Sequence, residues 1–252
     1  MRKLLGRIPV ILGTVVLSAG GALLRLRQLN MGFDAVGLPS GEGLGALAVL
    51  CVAALALFAL VAVQKEKKSS FAENFGASLP AVILAVPAAG LLLAGNLMAL
   101  MEQSPMATPM SQMLTRVTSI LGIVTALCFV GAAAGQYQKK KASAAVYLLP
   151  VVYYILQMIF NFKGWSTDPV ILDYCFKLFA LIAVMLAVFH VGGFALDMGK
   201  RRISVFFCLT GVFFSAVSLV DGGMTHMLVT AGSMLWMLAC GWQLLGEIEE
   251  EK

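Results

Sequence analysis

Apolar residues in this chain fall in long unbroken runs rather than in stripes or strict alternation. Eight runs stand out, at 8–24, 44–63, 75–101, 113–134, 144–162, 170–196, 203–220 and 227–245. Together they take up 169 of the 252 residues. A helix needs about 20 apolar residues to cross roughly 30 Å of hydrocarbon. The pattern therefore predicts an all-α integral membrane protein, a bundle of eight transmembrane helices forming a single polytopic domain over residues 1–252. The longest connection, 25–43, has 19 residues. A nucleotide-binding fold, a kinase lobe or a DNA-binding module does not fit in it.

The polar positions between the runs carry the orientation. Arg2, Lys3, Arg7, the 65–68 cluster, Lys139–Lys141, Lys200–Arg202 and Lys252 place thirteen basic residues on one side. Arg25, Arg27 and Lys163 place three on the other, and Arg116 and Lys177 fall inside runs. Basic residues accumulate in cytoplasmic loops, so both termini are expected in the cytoplasm. A miscounted span would scramble this alternation. The start, Met1-Arg2-Lys3 with an apolar run to Ser18-Ala19-Gly20, also resembles a secretory signal. Its length and the seven anchors that follow favour its retention as the first span.

Composition narrows the class further. Apolar residues make up 60% and charged residues 12%, with a mean hydropathy of +0.91. A soluble domain has about 45–50% and 25%. A soluble domain, a disordered chain and a disulfide scaffold are excluded. The net charge is +5 and the pI about 9.0. Because the basic residues come in short clusters between apolar runs, they mark topology and not a nucleic-acid surface. The five cysteines all lie within the runs with no CxxC spacing, and are expected to be buried thiols.

Candidate chemistry lies in the runs themselves. Pro87 sits in the middle of the third, where its missing N–H predicts a bend or break. Ala77, Ala81, Ala85 and Ala89 make a small-residue stripe on the same run, and Gly211, Ser215, Ser218 and Gly222 make another on the seventh. Asp173 and Lys177 are one turn apart on the sixth run, in its outer half. A mid-bilayer Asp or Lys costs about 2.5–3.5 kcal/mol, so such residues tend to have a function. Asp173 and Lys177, with Arg116 and Asp221 next, are the expected ligand-binding residues of an outward-facing polar pocket. Asn96, Glu102 and His226 also lie toward that side, and Glu102 could meet Arg116 across the 103–112 turn. His190 is read as an interfacial histidine, and Tyr153 and Tyr154 as deep packing or pocket wall.

No HExxH, GxSxG or Walker motif occurs, and two histidines do not suggest a metal site. No cofactor, metal or catalytic residue is expected. The absence of an N-x-S/T sequon is compatible with a bacterial cytoplasmic membrane. Three readings compete. The first is a small-solute permease or membrane-embedded ligand-binding transporter subunit. The second is a non-enzymatic membrane regulator, sensor or assembly partner, working through a protein partner or homo-oligomer. The third is an intramembrane lipid-modifying enzyme using Asp173, Asp221 or His226. All three contact the lipid bilayer; only the first requires a small solute.

Overall fold

The computed structural model describes residues 6–31, 44–102, 109–165 and 174–246. Arg2, Lys3, Asp173 and the acidic segment 247–251 lie outside the described residues. Nine α-helices are found among those described: α1 (Arg7–Met31), α2 (Leu44–Val63), α3 (Phe71–Asn74), α4 (Leu79–Met101), α5 (Pro109–Tyr137), α6 (Ala144–Trp165), α7 (Cys175–Gly192), α8 (Arg201–Ser218) and α9 (Met224–Leu245). Short 3-10 turns extend α7 over Gly193–Leu196 and α8 over Leu219–Asp221. All but α3 are long and apolar enough to cross a bilayer. The protein is thus an all-α membrane bundle with eight such helices.

Local chemistry explains where the helices depart from the apolar runs. The third run was expected to be helical from residue 75, but α4 begins at Leu79 with Pro80 in its first turn. Proline is tolerated there because that N–H has no helical acceptor. Residues before it form the separate α3, whose Phe71 tilts against Phe75, while Phe75 meets Phe194 edge-on. Helix α4 continues through Pro87 without a break. Helix α1 continues past the apolar run to Met31, which brings Arg25 into the bundle instead of leaving it in a loop.

The arrangement is a closed ring. Helix α4 packs on α5, α5 on α6, α6 on α7, α7 on α8, α8 on α9, and α9 returns to α4. Helices α1 and α2 sit outside this ring, against α8. Most of α8 and α9 is buried, whereas α1, α2, α4 and α5 present Val, Leu and Ile outward. This outer surface is the one that meets lipid.

Small residues close the ring between α4 and α9. A Cβ on Gly232 would lie 2.7 Å from the Ala88 carbonyl oxygen and 2.8 Å from the Leu92 nitrogen, so two backbones touch there. Ala81, Ala85, Ala88 and Ala89 are all buried on the facing side of α4. With lipid as apolar as the bundle interior, such close backbone packing supplies the association.

Basic side chains tie together the end of the bundle that carries them. Arg201 donates to the Leu244 carbonyl at 2.8 Å and also to that of Gly246. Lys65 donates to the Leu245 carbonyl at 3.0 Å, and Arg202 to that of Lys65 at 2.7 Å. Cations thus cap the carbonyl ends of α9 and α2, where the helix dipole favours positive charge. Asp197, with φ of 53°, turns the chain between α7 and α8. It accepts from the Phe71 N–H at 3.1 Å and pairs with Lys141.

Candidate functional site

The six ring helices enclose a cavity of about 560 Å³ at the end opposite the basic clusters. Its rim is formed by Glu102 after α4, Ser111 at the start of α5, Asn161 late in α6, and Gly223 before α9. Its floor lies near mid-span, at Tyr154, Val184 and Ser233. One turn beyond Ser233, the buried Trp236 stacks on the buried Phe129 with ring centroids 4.3 Å apart.

Polar side chains are concentrated on this cavity because each ring helix turns a few of them inward. Their hydrogen bonds form two chains. In the first, Gln157 Nε2 donates to Tyr153 Oη at 2.9 Å, and Tyr153 donates to Asn96 Oδ1 at 3.2 Å. Asn96 Nδ2 then donates to the Leu92 carbonyl at 2.7 Å. In the second, Ser233 Oγ donates to the Val229 carbonyl at 2.8 Å, so its oxygen is left to accept from Tyr154 Oη, also at 2.8 Å. Both chains leave the cavity side of α4, α6 and α9 held in one arrangement. Gly122 of α5 lies against the Asn96 amide, where a Cβ would collide with it.

The rim is ordered by α9. Thr225 donates to Glu102 Oε1 at 2.8 Å. His226 Nε2 lies 2.9 Å from the Ser218 carbonyl. A carbonyl only accepts, so Nε2 carries the proton. The anticipated Glu102–Arg116 contact is therefore replaced by a Glu102–Thr225 one, and Arg116 is exposed on α5.

The four expected binding residues are distributed unevenly. Lys177, in the first turn of α7, lines the cavity. Arg116 is not among its walls. Asp221 lies behind them, where its Oδ1 is 2.7 Å from Arg25 Nε and both side chains are shut off from solvent. Arg25 also donates to Gln28 at 3.0 Å and sits over the Phe176 ring at 4.9 Å. Asp173 lies outside the described residues. Ser215 and Ser218, from the seventh-run stripe, do line the cavity.

Sequence reading missed Gln157, Thr230 and Ser233 as cavity residues, and Arg25 as the partner of Asp221. For Arg25 a signal existed: Gln28 follows at i+3, on the same face. The hydroxyls and amides gave no such signal, since any turn of an apolar helix tolerates one.

Among the described residues no group of three or more His, Cys, Asp or Glu side chains is placed to hold a metal ion. None of the five cysteines forms a disulfide, and Cys208 and Cys240 are fully buried. The described walls of the cavity offer amides and hydroxyls for hydrogen bonding and one lysine, with Glu102 and His226 toward the rim. No family model, no curated protein and no solved structure matches this chain.

Proposed function

We propose that the protein is a small-solute permease, or the membrane-embedded ligand-binding subunit of a transporter, of a cell membrane. The observation that carries this reading is the polar cavity inside a closed ring of six helices, open at one end among the described residues and reaching mid-span. Binding sites of transporters lie near the bilayer midplane for a physical reason: both faces can then be given access by small movements. A packing role alone gives no reason to gather amides, hydroxyls and a lysine around a space of about 560 Å³. The gathering of basic residues at one end supports a cytoplasmic position for that end, with the cavity on the outward side. Burial of Arg25 with Asp221 supports this orientation, because it removes one of the few basic groups at the far end.

The test is access and cargo. A Ser215→Cys variant in intact cells should react with a membrane-impermeant thiol reagent added outside. Native mass spectrometry of the purified protein should show a retained small solute. No labelling of the introduced thiol from outside would end the reading. A stoichiometric protein partner without solute would favour the regulator, and a modified lipid the enzyme.

A further inference from the structure

The walls of this cavity are chemically uneven, and the unevenness specifies a class of solute, provided that the cavity is the ligand site proposed above. Lys177 lines the cavity from the first turn of α7, where no acidic residue lies and the helix dipole opposes a cation. No carboxylate among the described residues forms an ion pair with it. Glu102 is at the rim and holds Thr225. Deeper than Lys177, the described walls carry amides and hydroxyls but no carboxylate.

A second observation points into the same space. Ser215 lines the cavity and is 1% exposed, yet its Oγ has no hydrogen-bond partner. A helical serine ordinarily donates to the carbonyl one turn back, as Ser233 does to Val229. Ser215 does not, and a buried hydroxyl left unpaired is costly. Thr230 lines the cavity beside His226, its Oγ1 3.4 Å from Nε2. A bound molecule bearing its own hydroxyls would satisfy Ser215 and use Thr230.

We propose that the cavity binds a small hydroxylated organic anion, its carboxylate at Lys177 and its hydroxyl groups at Ser215 and Thr230. Lys177 supplies a charge-assisted hydrogen bond from a half-buried position on the cavity wall. The absence of a carboxylate on the described floor disfavours cations, and a neutral polyol brings no counter-charge to Lys177. Asp173 precedes Lys177 by four residues in the sequence, so a zwitterion belongs among the probes.

The test uses the full chain in lipid nanodiscs, with thermal unfolding at constant ionic strength. The probes are sodium D-glycerate and D-gluconate, sorbitol, choline and L-serine. Glycerate or gluconate should raise the midpoint saturably, and the other three should not. Lys177→Gln should weaken that binding by roughly tenfold or more, the scale of one lost charge-assisted hydrogen bond, and Lys177→Arg should retain it. Ser215→Ala should weaken it by roughly threefold to tenfold, the scale of a neutral one. Equal stabilisation by sorbitol, choline or L-serine would overturn the assignment. So would unchanged binding in Lys177→Gln, or no response to either anion. If the thiol introduced by Ser215→Cys is still labelled from outside in that case, the cavity reading survives and only the solute class falls. If it is not labelled, both fall.

Discussion

Arg25 Nε and Asp221 Oδ1 lie 2.7 Å apart, and neither side chain is reached by solvent. The pair joins α1, which lies outside the ring, to the turn between α8 and α9, just behind the cavity wall. Removing one partner strands a buried charge, which costs about 3–5 kcal/mol, while replacing both by apolar residues is often neutral or stabilising. Asp221→Leu should therefore lower the unfolding midpoint sharply, and adding Arg25→Leu should recover most of the loss. A double mutant as unstable as the single one would show that Asp221 does more than balance Arg25.

Gly232 and Gly90 make a paired test of the ring closure. A Cβ on Gly232 would meet α4 backbone at 2.7 Å, and one on Gly90 would meet nothing within 4 Å. Gly232→Ala should destabilise by about 1–3 kcal/mol, the range for overpacking. Gly90→Ala should be neutral or slightly stabilising, since alanine is the better helix former. Thermal unfolding of the two variants side by side decides this, and equal midpoints would remove the close α4–α9 contact.

Acid should loosen the basic end. The Lys141 ammonium, and then the Phe71 N–H, hold the Asp197 carboxyl below the usual carboxylate range. A depressed folded value gives stability that is present above the unfolded value, about 3.9, and is lost as pH falls through the lower folded one. Asp197→Asn should flatten that part of the pH–stability curve while keeping the turn, because asparagine tolerates the left-handed backbone found there. An unchanged acid limb would assign the pH dependence to other carboxylates.

Orientation is open to direct labelling. In a background without the native cysteines, Gly223→Cys should react from outside the cell and Ser69→Cys only after permeabilisation. The reverse pattern would turn the cavity toward the cytoplasm and invert the direction of solute binding.

Hydrophobic run length was enough to specify the helices, because lipid demands a continuous apolar stretch of nearly fixed length whatever the helix later touches. The eight apolar helices follow from it, and so does the gathering of basic clusters at one end. Lys177 was also legible as an ionisable residue within an apolar run, and Ser215 and Ser218 as part of a small-residue stripe. The neighbours were not. In water, an apolar stripe marks the buried face of a helix; in lipid, both faces are apolar, so Ala85 of α4, which is buried, and Val86, which is exposed, look alike in one dimension. Only packing decided that α4 to α9 close on themselves while α1 and α2 stay outside. The same packing drew Arg25 inward to Asp221 and turned Asn96, Gln157, Thr230 and Ser233, scattered over three helices, toward one space. A site assembled from single polar residues on separate helices has no local signature, because each residue acquires its meaning only from the others across the ring.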